Sequence, residues 1–413
     1  MNALNRFFIF LFFLILSAPF IQLELKTFPE LELNEKRMAI PKPVPYFRFH
    51  SINGFKSSLE FFSKYLDDNF GFRKYFIYYH NRMKVNLFHV SPSSQAIVGK
   101  MNWLYYDFMN SGRLERTGLL AGADKSLLEF YNVALSNIQK GDINTTEYSL
   151  PDYLGLVPLE ESELSSIKKN IESLERLLSK HKIRLLIVVA PNKHTIYPEF
   201  LPDWITNIKR RESRLDQVMK YMNENSNFKI SDYRNIFLKN KVNQKLFLKL
   251  DTHLSPEGNI LFANEILASL ENPLVKKFES IEFNPGVEVD QFSGDLVDIA
   301  GIPGLFQETV FFLQLRKTYT IPFELANHAT LSKSRGLFTV QSNKSLPSVI
   351  VFGDSFGEFV SPLLKERFKK YIFFPRIATV KEQILAQEKP DYVIIEIVER
   401  SIHDLKKFNF VEK

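Results

Sequence analysis

The sequence predicts an α/β fold, a mostly parallel sheet with helices on both of its faces. Three observations lead there. Short apolar runs occur at residues 183–190 (Ile-Arg-Leu-Leu-Ile-Val-Val-Ala), 349–352 (Val-Ile-Val-Phe) and 392–397 (Tyr-Val-Ile-Ile-Glu-Ile). Runs of this length, rich in β-branched residues, read as strands buried on both faces. The stretches between strands carry a helical stripe, as at Leu164, Ile167, Ile171, Leu174 and Leu178, and strands alternating with such helices imply parallel pairing. Finally, the 349–352 run ends at Gly353-Asp354-Ser355 and turns at once into a helix beginning near Gly357. That turn lifts a side chain out of the sheet at its carboxyl edge, where open α/β folds bind ligands.

Composition narrows the class. The 413 residues suffice for one large domain or two ordinary ones, and 45% apolar with 14% aromatic content belongs to a globular core. The net charge of +6 suits an anionic substrate or a membrane surface, yet the basic residues are dispersed and single out neither. No nucleic-acid motif is present. The absence of cysteine excludes disulfides, thiolate metal ligands and a cysteine nucleophile.

At the amino terminus, Arg6 precedes an uncharged run from Phe7 to Gln22, and the next charge is Glu24. A short basic region followed by an apolar one is the pattern of an export signal. The run is slightly short of the roughly 20 residues a spanning helix takes, which Leu23 and local bilayer thinning accommodate. Pro19, directly after Ser17-Ala18, disfavours cleavage there. Residues 1–23 are therefore read as an uncleaved signal anchor, with a removed signal peptide as the alternative.

Residues 24–52, with Pro29, Pro41, Pro43 and Pro45, read as an extended linker. Residues 53–95 read as a helical extension of two amphipathic helices broken at Asn69-Phe70-Gly71. A catalytic domain is then expected over 96–413. It opens with a β-hairpin at 96–106, Asn102 taking positive φ at the turn. A helix is expected near 124–139, and Asn144-Thr145-Thr146 matches a glycosylation sequon. Helices are expected at 161–181 and 205–224, with strands at 228–231 and 246–250. Ser255 as N-cap and Pro256 at the first helical position open a helix to about Leu270. Residues 271–345 are less regular. A helix from Gly357 to Lys369, a strand at 371–374, a helix near 380–388 and the last strand complete the chain. No internal repeat is visible.

A serine hydroxyl is a weak nucleophile until a base takes its proton, and imidazole does this near neutral pH. Ser355 sits on the strand-to-helix turn, with backbone N–H groups nearby to hold an oxyanion. The plain alternative is that Asp354 and Ser355 only cap the helix. Of eight histidines, only His253 follows an expected strand in a loop before a helix, with a carboxylate, Asp251, two residues earlier. Asp251 accepting from one imidazole nitrogen leaves the other for Ser355, a Ser–His–Asp relay. Lys193 and Tyr197 lie at the carboxyl end of the 183–190 strand, placed to contact a substrate carboxylate or acyl oxygen (a uronate, on the resemblance given below), or to be ordinary loop residues. Arg400, just past the last strand, is placed to hold a sugar carboxylate or to pair with Glu399. No metal-ligand spacing and no phosphate-cradling glycine loop is present, so no cofactor is expected.

The blocks Gly353-Asp354-Ser355-Phe356 and Asp251-Thr252-His253-Leu254-Ser255-Pro256-Glu257-Gly258 resemble the SGNH-hydrolase-like domain of the alginate O-acetyltransferase (AlgJ/AlgX) family. So do Phe70-Gly71-Phe72-Arg73, Val98-Gly99-Lys100, Trp103-Leu104, Pro191-Asn192-Lys193 with Tyr197-Pro198, and residues 393–400 (Val-Ile-Ile-Glu-Ile-Val-Glu-Arg). The resemblance covers most of residues 55–405, in the family's order. Its Asp-x-His block precedes the serine block, the reverse of ordinary SGNH hydrolases. It implies an SGNH-hydrolase-like three-layer α/β/α domain preceded by a membrane anchor and a helical extension. It also implies Ser355 as nucleophile, His253 as general base and Asp251 as the base's orienting partner. Two positions depart from the family. Leu254 stands where it has Trp, and Met101-Asn102 where it has Asp-Gly. The first removes a π-face on which a sugar stacks.

The function so implied is an exported, membrane-anchored polysaccharide O-acetyltransferase in alginate-like exopolysaccharide modification. It would work in the periplasm from the inner membrane, through an acetyl-serine, with a membrane-bound O-acyltransferase as acetyl donor and a polysaccharide as acceptor. Two other readings use the same residues. One is an acetyl esterase, in which water takes the acetyl group; the other is a glycan-binding scaffold with an inert triad.

Overall fold

The computed structural model describes residues 3–29, 52–93, 95–107, 149–322, 336–375 and 382–407. Most of the expected linker, the helix expected near 124–139, the sequon at 144–146 and the first residues of the helix expected near 380–388 lie outside them. The chain divides into two compact units, one of Met1–Ser93 with Val297–Phe306, the other of Ser94–Leu296 with Gln307–Lys413.

The first unit contains α1 (Ala3–Leu25), α2 (Ile52–Asn69) and α3 (Arg73–Phe88). The break between α2 and α3 falls at Phe70, Gly71 and Phe72, and α3 stops where His89 turns left-handed at φ 52°. Asn81 on α3 donates to the Gly301 carbonyl at 2.7 Å, tying in the 297–306 segment. Along α1 the side chains of Phe7, Phe8, Phe10, Phe12 and Phe13 are exposed. Among the described residues no helix is long and apolar enough to cross a membrane.

The second unit opens with the hairpin β1 (Ala96–Val98) and β2 (Leu104–Tyr106), whose turn holds Met101 and Asn102 at φ 53° and 61°. A second antiparallel pair joins β5 (Val287–Phe292) and β6 (Glu308–Phe312). The main sheet contains β3 (Arg184–Ala190), β4 (Ser231–Asp232), β7 (Ile321–Pro322), β8 (Leu337–Val340), β9 (Ser348–Gly353), β10 (Lys370–Pro375) and β11 (Tyr392–Val398). Their order is β4-β3-β11-β9-β10-β8-β7.

This sheet is mixed, a correction to the mostly parallel one expected. β4, β3, β11, β9 and β10 run parallel, but β8 pairs antiparallel with β10, and β7 with β8. Residues 341–347 join β8 to β9. That link is too short for the crossover of about a dozen residues that parallel strands need.

Alternation along the central strands separates two cores. Val188, Ala190, Val349, Val351, Ile394 and Val398 face one way, onto α6 (Pro256–Ser269) and α7 (Ser355–Leu364). Ile187, Val189, Ile350, Phe352, Val393, Ile395 and Ile397 face the other, onto α4 (Glu161–Lys180) and α5 (Arg214–Asn225). Period 2 buried on both faces produces the three layers.

Several expected elements are shorter. The helix expected at 205–224 is a turn at Asp203–Thr206 followed by α5, because Ser213 accepts from Asp216 N and starts a new helix. The strand expected at 228–231 pairs only at Ser231–Asp232. The helix after the serine ends at Leu364, followed by a helical turn at Lys365–Arg367.

The expected strand at 246–250 is not part of the sheet. It folds back on the residues after it, with a bridge from Phe247 to Leu254 and a bond from Ser255 N to Leu246 O at 3.0 Å. β2 leans on it through Leu104 N to Lys249 O at 3.0 Å. The start of α6 clamps this turn. Ser255 Oγ accepts from Gly258 N at 3.0 Å, and a Cβ on Gly258 would lie 2.1 Å from the Leu246 carbonyl oxygen. Only glycine lets the helix approach so closely.

Candidate active site

β9 is buried along its whole length and delivers its last residue, Gly353, to the carboxyl edge of the sheet. Asp354 is the N-cap of α7, its Oδ1 accepting from Phe356 N at 2.8 Å. Ser355 is the first helical residue. The folded-back turn brings His253 to it from 102 positions away in sequence. Ser355 Oγ lies 2.9 Å from His253 Nε2, and His253 Nδ1 lies 2.7 Å from Asp251 Oδ1. A carboxylate only accepts, so the proton belongs on Nδ1 and the Nε2 lone pair faces the serine hydroxyl.

Asp251 is held on both oxygens. Oδ1 also accepts from His253 N at 2.9 Å, and Oδ2 from Asp295 N at 3.1 Å. Burial pushes its pKa up, but the bonds and charge of His253 outweigh this and hold it below the usual carboxylate range. Asp295 in turn accepts from Thr252 N at 2.8 Å and Thr252 Oγ1 at 2.6 Å. Burial, and then the charge of Asp251, raise its pKa. Ligand atoms of Asp251, His253 and Asp295 lie within 4.8 Å of one another, a spacing a cation would also accept. His253 Nδ1 is already committed to Asp251, however, so no metal role follows.

The serine N–H stands apart from its neighbours. The N–H of Phe356 is taken by Asp354, and that of Asp354 by Glu396. Among the described residues the Ser355 N–H has no acceptor. A free N–H beside a nucleophile is what an oxyanion needs.

The other expected site residues turn out differently. Lys193 does not face a substrate. It is buried, and its ammonium donates to the carbonyls of Leu104 at 2.6 Å, Lys249 at 2.9 Å and Asp251 at 3.0 Å. All three donors of an ammonium are used, and burial pushes its pKa down to about 7. It braces the turn that carries Asp251. Tyr197 is likewise a packing residue. Its hydroxyl accepts from Leu246 N at 3.0 Å, and its ring lies 4.7 Å from that of Trp103. Arg400 does not pair with Glu399, which accepts from Asn192 N at 2.8 Å and Thr195 Oγ1 at 2.9 Å and lies 3.6 Å from Arg234. Arg400 instead donates to Asn192 Oδ1 at 3.3 Å and lies over the rings of Tyr106 and Phe356. His194 is no second base. Burial, then the charges of Arg400 and Lys193, push it down to about 3.

Sequence reasoning missed four residues that shape the site. Glu308 on β6 accepts from Lys249 N at 3.0 Å and Leu250 N at 2.8 Å and pairs with Lys245, pinning the segment before Asp251. Asp295 and Glu396 also lie far from the triad in sequence, and no local pattern marks them. Phe359 was legible, because it lies four residues after Ser355 on the same helix face. Its ring is 4.3 Å from that of His253 and 52% exposed. Leu254 is buried against Phe247, so the position where the family has Trp points into the core.

A model of the SGNH hydrolase-like domain of the acetyltransferase AlgX matches residues 153–372, more than half of the chain. The chain belongs to this family of SGNH hydrolase-like acetyltransferases. The matched span contains all three relay residues, Asp251, His253 and Ser355. No curated protein matches the chain in sequence. Among solved structures, Bacillus cereus PatB1 is similar at 13% identity and TM-score 0.47, over 60% of this chain and 94% of that one. A DHHW family protein from Eubacterium siraeum gives 14% identity and 0.47, over 60% and 90%. The O-acetyltransferase domain of Pseudomonas putida AlgJ gives 13% identity and 0.40, over 76% and 95%. Likeness at this level concerns chain trace, and nothing about substrate follows from it.

Lys193→Met removes the donor to three buried carbonyls at once. We expect unfolding free energy to fall by about 2–5 kcal/mol in urea titrations. An unchanged midpoint would mean that Lys193 braces nothing.

Proposed function

We propose that this protein transfers acetyl groups to hydroxyls of a polysaccharide through an acetyl-Ser355 intermediate. The observation that carries the reading is the unbroken hydrogen-bond chain from Ser355 through His253 to Asp251, at 2.9 and 2.7 Å. In the first half-reaction Ser355 Oγ attacks the acetyl carbonyl while its proton passes to His253 Nε2. The Ser355 N–H supports the oxyanion, and Asp251 stabilises the imidazolium. Collapse breaks the bond to the donor oxygen, which takes the proton from His253. In the second half an acceptor hydroxyl gives its proton to His253 and attacks the acetyl-serine, and Ser355 leaves reprotonated. Water in place of the sugar would make the same centre an esterase.

Phe359 would supply the sugar-stacking face that Leu254 does not, as an exposed ring beside the general base. Arg400, beside Tyr106 and Phe356, would be the cation that meets an acidic sugar. The uncharged run after Arg6, with its outward-facing phenylalanines, supports α1 as an anchor in the inner membrane and the rest of the chain as periplasmic. From there a membrane-bound O-acyltransferase would serve as acetyl donor, and an alginate-like exopolysaccharide as acceptor.

Three measurements test this. Ser355→Ala should lower hydrolysis of a small acetyl ester by roughly a thousandfold and leave no acetylated oligosaccharide by mass spectrometry. Retained activity would remove the nucleophile, and free acetate with no acetylated acceptor in the wild type would favour the esterase. Phe359→Ala should raise KM for the oligosaccharide by about three- to tenfold while small-ester turnover stays near wild type; an unchanged KM ends the stacking role. The full chain should sediment with membranes through a carbonate wash, and a chain lacking residues 1–25 should not. Sedimentation of both, or of neither, would rule out α1 as the anchor.

A further inference from the structure

Along β11, Ile394, Glu396 and Val398 fall on the sheet face covered by α7. At the middle position, where the pattern calls for an aliphatic residue, stands a glutamate with 1% exposure. Its Oε2 accepts from Asp354 N at 3.1 Å. Two glycines make room for it. A Cβ on Gly353 would lie 2.8 Å from Glu396 Oε2, and one on Gly357 2.6 Å. The glycines flanking Asp354-Ser355-Phe356 are thus the imprint of this carboxyl.

No ion pair to Glu396 exists among the described residues, and its Oε1 meets no donor. The side chain that adjoins it is the Asp354 carboxyl, whose oxygens already accept from Phe356 N and Val398 N, each at 2.8 Å. Two adjoining carboxyls without a cation cannot both ionise in a core. Glu396 is the deeper of the two.

We propose that Glu396 is a positioning residue for Ser355. As a neutral carboxyl it donates its proton to the Asp354 carboxylate, while its other oxygen accepts from the N–H of Asp354. The clamp fixes the turn that presents the serine hydroxyl, and the N–H groups on either side of Ser355 are taken up by Glu396 and Asp354. Burial, and then the charge of Asp354, push the Glu396 carboxyl well up in pKa, in the direction the clamp requires. On β10 the facing ionisable group is Tyr371, kept neutral by burial and bonded to Ser361 Oγ at 2.7 Å. On β3 the residue in register is Val188, which adds no charge.

This inference rests on Ser355 as the reacting residue, but one of its tests does not. Glu396→Gln keeps one donor and one acceptor, whereas Glu396→Leu keeps comparable volume and neither. On a small acetyl ester we expect the Gln variant within about threefold of wild type, and the Leu variant about tenfold or more slower in kcat with KM little changed. Independently of turnover, infrared difference spectra with isotope-labelled glutamate should show a neutral glutamic acid at neutral pH in the wild type. That band should be missing in Glu396→Gln. Absence of the band in the wild type, a folded Gln variant as slow as Leu, or a Leu variant as fast as wild type would overturn the proposal. If Ser355→Ala were instead fully active, the nucleophile would be wrong, and the band would still report the Glu396 proton.

Discussion

The site depends on one hydrogen bond, Ser355 Oγ to His253 Nε2, and its two ends are held by unrelated parts of the fold. The serine end belongs to the sheet. Its position follows from β9, from the capping carboxylate of Asp354 and from the glutamate beneath the turn. The histidine end belongs to no strand. It sits on a folded-back turn secured by Lys193 below, Glu308 along its backbone, Asp295 at its side and α6 at its end. A triad is only as well aligned as its least-supported member, which explains why so many buried polar groups gather behind a loop.

The sequence made the sheet side legible. Runs buried on both faces carry a strong signal, and Val349 to Phe352 ending in Gly-Asp-Ser announces both the strand and its turn. The relay residues were legible too, because chemistry restricts which residue types can act as base and orienter. The antiparallel edge was not, because β7 and β8 are short and lie in a stretch without clear period. Residues 246–250 were misread as a strand. An apolar run of five buried in a turn looks the same as one buried in a sheet, since periodicity reports burial and not hydrogen-bond partners. Lys193 shows the converse problem. A lysine in a loop at a strand end suggests a ligand contact, and only coordinates reveal that three carbonyls have already claimed it.

Acidic side chains cluster at this carboxyl edge, and three of them have a basic partner. Asp251 is matched by His253, Glu399 by Arg234 with the N–H of Asn192, and Glu308 by Lys245. Asp295 accepts from Thr252 and lies 3.8 Å from the same His253, while Glu396 accepts from Asp354 N beside the Asp354 carboxyl. Both are raised in pKa by burial first and a neighbouring aspartate second. Burial raises Asp251 as well, but the bonds and charge of His253 outweigh it and hold this carboxyl below the usual range.

Among the described residues the Ser355–His253 pair is flanked by an exposed phenylalanine, and this bears on how transfer would outrun hydrolysis. Among the described residues Ser355, His253 and Phe359 all keep some exposure, so on the proposed function transfer would not be favoured by sealing water out. An acyl-enzyme reached by both nucleophiles partitions according to how long each is held in line with the carbonyl. Water cannot be held for long by a single ring face, but a sugar can, because its apolar face lies flat on an aromatic ring while its hydroxyl points to the base. Selectivity would then come from residence time at Phe359 and Arg400 and not from the triad, whose geometry is indifferent to which hydroxyl it deprotonates.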